Sequence, residues 1–201
     1  TKPLLVAGER TKNVFFARTG MRLPVFDAFH PNPDLQDCVA GAALYQEKGC
    51  DGLISVGGGS AMDTAKGIKA LLMTDIAHVR ANQLPSEGNV PHLAIPGTAG
   101  TGAETTAVAV LYENGQKLSV DHPALLPDGV LLDGSLLDTL PEYHRKSCAM
   151  DALAQMIEER GDEIFADCDS IVLEIDLDKE IIKSVFKYAE KYHKRVYAVV
   201  A

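Results

Sequence analysis

The sequence predicts an α/β fold: a doubly wound parallel sheet, then an abbreviated C-terminal helical region and a βαβ tail. Three observations carry that expectation. Strand-like and helix-like patterns alternate through roughly the first 110 residues, the rhythm of a parallel sheet. A glycine triplet, Gly57-Gly58-Gly59, stands between an apolar run and a helical one. Past Gly161 a separate strand–helix–strand pattern closes the chain.

In chain order, Leu4-Leu5-Val6-Ala7 reads as a buried strand and Leu23 to Phe26 as a second. Pro31-Asn32-Pro33-Asp34 reads as a turn whose Asp34 caps the next helix. There Leu35, Val39 and Ala42 fall on one face, and Gly49 supplies the stop. Asp51 to Val56 is a strand running into the triplet, and a helix from Ser60 aligns Ala61, Ala65, Ile68 and Leu72. Leu93-Ala94-Ile95 is a further strand, ending at Pro96. Right-handed crossovers in such an order gather the loops along one edge of the sheet.

From Thr105 to Val120 the pattern is that of a hairpin, Ala107 to Tyr112 and Lys117 to Val120, turning at Asn114-Gly115. Leu125 to Leu140 is turn-rich, and Pro141 leads into a helix from about His144 to Glu159. Ile171 to Ile175 then reads as a strand, and Asp178 as the cap of a helix carrying Ile182, Val185, Ala189 and Tyr192. Arg195 to Val200 is a second strand. Residues 1–140 thus read as one domain, 141–160 as a helical stretch, and 161–201 as a strand–helix–strand tail.

Composition narrows the function. The chain is 46% hydrophobic and 23% charged, ordinary for a globular protein, and its formal charge of −9 argues against nucleic acid or an anionic membrane as main partner. Aromatics are scarce and Trp is absent, so no base-stacking platform is expected. Cys38, Cys50, Cys148 and Cys168 form no CxxC pair and no zinc-like spacing, and read as free thiols in a reducing compartment. No apolar run approaches the ~18 residues that span a bilayer, so a soluble, cytoplasmic protein is expected. The opening at Thr1, without an initiator Met, reads as a trimmed or fragmentary start.

The glycine triplet has a physical use. Three residues without a Cβ let backbone N–H groups approach a phosphate, and the following helix presents its unpaired N–H groups and positive dipole end to the same place. Ser60 and Asp63 have capping-box-like spacing, which sets the helix start, and Asp63 and Lys66 can pair on its surface. The loop has neither G-x-x-x-x-G-K-[ST] nor G-x-G-x-x-G spacing.

Here the chain resembles a known family. Gly57-Gly58-Gly59-Ser60-Ala61-Met62-Asp63-Thr64-Ala65-Lys66 is similar to the GGGSxxDxAK signature of iron-dependent alcohol dehydrogenases. Ile95 to Glu104 resembles that family's IPTTAGTGSE, and Asp133 to Pro141, followed by Met150-Asp151-Ala152-Leu153, its DPxLxxxLP and MDAL. The resemblance covers residues 1 to about 159, with the motifs in the family's order and spacing.

The resemblance implies that Gly57, Gly58, Gly59 and Ser60 hold a dinucleotide diphosphate, with Thr98 and Thr101 near the nicotinamide half. Gly97 replaces the family's first Thr, removing a hydroxyl and loosening the backbone. Lys117 stands at the place of a lysine near the nicotinamide ribose; read alone, it is equally a solvated hairpin lysine. Asp27, before Pro31-Asn32-Pro33, is similarly placed to accept adenosine ribose hydroxyls and repel a 2′-phosphate, favouring NAD over NADP. Its other reading is an exposed turn carboxylate.

The same resemblance makes Asp151 a metal ligand and puts a His four residues on. Position 155 is Gln, a weaker ligand for Fe or Zn than imidazole, and the family's two later histidines have no counterpart after residue 160. The resemblance implies that 141–160 is the start of a helical domain and 161–201 a tail of different origin. The tail does not follow the family's helical domain; it weakly resembles a βαβ segment of ribokinase-like sugar kinases but lacks their GxGD motif, so it reads either as joined on near residues 159–163 or as a divergent dehydrogenase continuation. The expected function is NAD-dependent exchange of hydride with a small alcohol or aldehyde, impaired by an incomplete metal site. A non-catalytic nucleotide-binding fragment or chimera, or a sugar-kinase-related fusion, are the alternatives. A homo-oligomer is compatible with the sequence, and no nucleic-acid or membrane partner is expected.

Overall fold

The computed structural model of the chain describes residues 1–86, 90–138, 140–174 and 179–199. They fall into two compact units, Thr1–Arg145 and Lys146–Ala201.

In the first unit, β1 (Pro3–Ala7), β2 (Val25–Phe26), β3 (Gly52–Gly57), β4 (His92–Pro96) and β7 (Gly129–Val130) form one sheet in the order β2-β1-β3-β4-β7. Every pairing is parallel. β1 is a continuous apolar run because both its faces are covered. Leu4 and Val6 share a core with Leu35, Cys38, Ile68 and Leu111. These come from α2 (Leu35–Glu47), α3 (Gly59–Met73) and the antiparallel hairpin β5 (Val108–Glu113) and β6 (Gln116–Asp121). Leu5 and Ala7 pack with Val56, Phe15 and Leu136, reaching α1 (Glu9–Thr19) and α5 (Ser135–Asp138).

This order places the topological switch between β1 and β3. The crossovers leave β1 and β3 in opposite directions, the arrangement that in doubly wound folds opens a crevice outside the carboxyl ends of the two strands.

Several local expectations are met with their physical cause visible. Asp34 caps α2, accepting from Gln36 N–H at 2.9 Å, and Asp37 completes a capping box by accepting from Asp34 N–H at 3.1 Å. Gly49 follows α2 at φ +60°, the left-handed position that ends helices. Others need correcting. Val39 is 36% exposed and leaves the α2 stripe to Leu35 and Ala42. Four elements had no clear periodicity: α1, the short α4 (Ile76–Arg80), α5, and β7, whose two residues are too few to alternate.

In the second unit, α6 (Glu142–Asp167) runs on well past Glu159, and Gly161 does not end it. A Cβ at Gly161 would collide with the Tyr188 ring of α7 (Lys179–Lys191), so this glycine serves helix contact rather than helix termination. Tyr188 stacks on Phe165 with ring centroids 5.1 Å apart. β8 (Ser170–Glu174) and β9 (Arg195–Val199) pair in parallel. The expected cap Asp178 and the strand ends Ile175 and Val200 lie outside the described residues. Among the described residues no helix is long and apolar enough to cross a membrane.

Candidate functional site

The crevice is built first by the turn out of β3. Gly57 has φ +152°, which an L side chain rarely adopts, and its carbonyl accepts from Gly97 N–H at 2.7 Å. α3 then starts at Gly59 with Gly58 as its N-cap. That corrects the expected start at Ser60: no side chain caps this helix. Ser60 lies inside the first turn, and its Oγ accepts from Asn32 N–H at 3.3 Å. Ala61 and Met62 N–H return to Gly58 O. The N–H groups of Gly58, Gly59 and Ser60 donate to no acceptor among the described residues.

The second motif is seated on the first. A Cβ at Gly58 would lie 3.1 Å from Thr98 Cγ2 and 3.2 Å from Thr98 Oγ1; one at Gly59 would lie 3.4 Å from Thr101 Oγ1. The glycines therefore let two loops from neighbouring strands approach within contact, with both threonine hydroxyls beside the unpaired N–H groups. Gly97, whose backbone the sequence leaves loose, is anchored by its bond to Gly57.

The Pro31–Asp34 turn forms a further wall. Tyr112 N–H donates to Pro33 O at 2.9 Å, tying the turn to β5, while the Asn32 bond to Ser60 ties it to α3. Lys117 lies on β6 opposite Tyr112 and is exposed. Its charge is felt at Asp63, in the first turns of α3. Asp27 follows β2 at the same end of the sheet and is ion-paired with Lys12, Oδ2 to Nζ 2.7 Å.

The surface pair expected between Asp63 and Lys66 does not form. Lys66 is fully buried and donates to Ala103 O at 2.7 Å, Val108 O at 2.8 Å and Thr106 Oγ1 at 3.1 Å. These are the carbonyls and hydroxyl of the chain leaving the threonine loop, so Lys66 braces that loop from beneath. Burial pushes its pKa down to about 8. Asp63 is pushed up to about 6, again chiefly by burial, with Lys66 and a hydrogen bond from Val110 N–H acting the other way.

Three positioning residues escape sequence reasoning. Thr11 Oγ1 donates to Val56 O at 2.9 Å, joining α1 to the strand that enters the glycine turn. Lys12 and the buried Lys66 are the others. No sequence signal marks Lys66, which lies off the Ala61, Ala65, Ile68 and Leu72 stripe and reads as a surface partner of Asp63.

The dinucleotide fits the residues present: three N–H groups at a helix start that meet no acceptor among the described residues, and glycines that seat two threonine side chains against that turn. The metal does not fit. Asp151 and Gln155 are one turn apart on α6, with Asp151 exposed and Gln155 half-buried. Asp151 lines a cavity of about 310 Å³ with Met150, Ile157 and Ile181, and Gln155 is not part of that lining. No group of three His, Cys, Asp or Glu able to hold a metal occurs among the described residues.

Comparison with known proteins agrees with this geometry. Residues 1–134 match the iron-containing alcohol dehydrogenase family. The chain is 38% identical over 131 residues to the probable alcohol dehydrogenase EutG of Escherichia coli K12, covering 63% of this chain and 33% of that protein. It is 35% identical over 161 residues to the 4-hydroxybutyrate dehydrogenase of Cupriavidus necator, covering 77% and 42%. Among solved structures, the sulfoacetaldehyde reductase of Bifidobacterium kashiwanohense in complex with NAD+ superposes with a TM-score of 0.71 at 31% identity. The match covers 78% of this chain and 45% of that one. The chain thus spans a third to under a half of the length of these relatives.

Proposed function

The chain belongs to the iron-containing alcohol dehydrogenase family, and from that premise we propose that residues 1–140 bind NAD for hydride exchange with a small alcohol or aldehyde. The observation that carries the reading is the set of unbonded N–H groups at Gly58, Gly59 and Ser60, aimed from a helix start. They suit a diphosphate through direct hydrogen bonds and the helix dipole. Asp27 suits the adenosine ribose, which favours NAD over NADP. Thr98, Thr101 and Lys117 suit the nicotinamide side. Bound NAD would supply the hydride acceptor; these residues orient it and hold its phosphates away from water.

The relatives' names support the substrate class: a lactaldehyde reductase of E. coli is 32% identical over 145 residues. Asp151 and Gln155 do not make a metal site by themselves. That favours a second reading, a nucleotide-binding chain without turnover of its own. Residues 141–160 then read as the start of the family's metal-binding helical domain, and 161–201 as a tail of separate origin.

Titration with NADH, followed by its fluorescence, tests the first claim. Saturable binding is expected, weakened at least about tenfold in Gly58→Asp, whose side chain would meet Thr98 and place a carboxylate against the phosphates. Undiminished binding in that variant would remove the glycine turn from the argument. Reduction of simple aldehydes with added iron or zinc separates the two readings.

A further inference from the structure

The surroundings of Asp27 carry a second inference, which rests on the dinucleotide reading above. β1 and β2 pair at Val6 and Phe26, so the turn into α1 and the Asp27 carboxylate meet at one end of the sheet. Lys12, one turn into α1, lies between two carboxylates: its Nζ is 2.6 Å from Glu9 Oε2 and 2.7 Å from Asp27 Oδ2. The Lys12 side chain is 18% exposed, against 75% for Glu9 and 42% for Asp27, so the ammonium is the inner member. Asp27 Oδ1 has no partner among the described residues.

The placement is held from the other side as well. Thr11 bonds α1 to Val56, one residue before the glycine turn. β1 separates β2 from β3, so the ends of those two strands stand two strand spacings apart, roughly 10 Å. That leaves room for a sugar between the phosphate turn and Asp27.

We propose that Lys12 is a positioning residue that selects the nucleotide: clamped between Glu9 and Asp27, it fixes the Asp27 carboxylate with Oδ1 free for a ribose diol and withholds its ammonium from a 2′-phosphate. The three side chains together carry net negative charge, which repels a phosphate and leaves a diol unaffected. Removing the Glu9 charge makes the remaining pair neutral and lowers that repulsion. Removing Lys12 frees the Asp27 rotamer and deepens the negative field.

NADH and NADPH fluorescence titrations on the whole 201-residue chain test this, with circular dichroism to verify that each variant is folded. Glu9→Gln is expected to raise the NADPH-to-NADH affinity ratio by about threefold or more, the scale of an exposed ion pair. Lys12→Met should lower that ratio and weaken NADH itself, while Lys12→Arg keeps the parent ratio. The differences should shrink at high salt. A role confined to bracing α1 would weaken both nucleotides equally and leave the ratio alone, and that result overturns the proposal with the dinucleotide site intact. If the unaltered chain binds neither nucleotide, the proposal and the reading beneath it fall together.

Discussion

At Asp63 and His92, burial works on two ionisable groups in opposite senses. His92 is 1% exposed; its Nε2 meets Ser55 Oγ at 2.8 Å and its Nδ1 has no partner among the described residues. Burial, then Lys69 and Lys66, push its pKa down to about 3. Because that lies below the unfolded value, the unfolded chain gains the proton first, and stability is lost as pH falls from about 6.5 toward 3. Asp63, raised to about 6, contributes the reverse: stability present below about 4 and lost as pH rises through 6. Between pH 4 and 6 the two slopes oppose, each at most ~1.4 kcal/mol per pH unit. Asp63→Asn removes the compensating group, so its denaturant midpoint should fall more steeply with acid than that of the parent chain. Parallel midpoint curves from pH 7 to pH 4 would show that Asp63 does not titrate in this way.

Helix contacts decide stability at the next scale. α2 and α3 touch where Gly67 faces Cys38: a Cβ at Gly67 would collide with the Cys38 sulfur and lie 3.2 Å from Leu111 Cδ1. Gly67→Ala gains helix propensity of about 1 kcal/mol but overpacks a full core at a cost of roughly 1–3 kcal/mol. A net loss of up to ~2 kcal/mol is expected by urea denaturation, shrinking in a Cys38→Ala background where the obstructing sulfur is gone. Gly161 shows the same physics where the sequence misleads, since a glycine in a helical pattern reads as a stop until its neighbour is known. The long parallel strands and α2 were legible because their periodicity or capping residues are local. α1 and β7 were not: α1 has a weak apolar stripe, and β7 acquires its meaning only by pairing with β4. For the candidate site, Gly57 to Ser60, Thr98 and Thr101 were legible as motifs. Lys66 and Lys12 were not, because their partners lie on other elements.

For the molecule as a whole, the residues proposed to hold the nucleotide, Asp27, Gly57 to Ser60, Thr98, Thr101 and Lys117, all belong to the first unit, while the expected metal ligands Asp151 and Gln155 belong to the second. Nucleotide binding is therefore expected not to require a metal. Stripping the protein with a chelator is expected to leave NADH affinity unchanged. A severalfold drop, restored by iron or zinc, would mean that a metal shapes the nucleotide crevice.

The linear order of residues determined the doubly wound sheet, the glycine turn and the family, because each is written in contiguous patterns of apolar spacing, caps and motifs. Tertiary structure alone decided that Lys66 turns inward to carbonyls and that Lys12 clamps Asp27. Those outcomes depend on which distant groups burial brings within a few ångströms, and no local pattern encodes that.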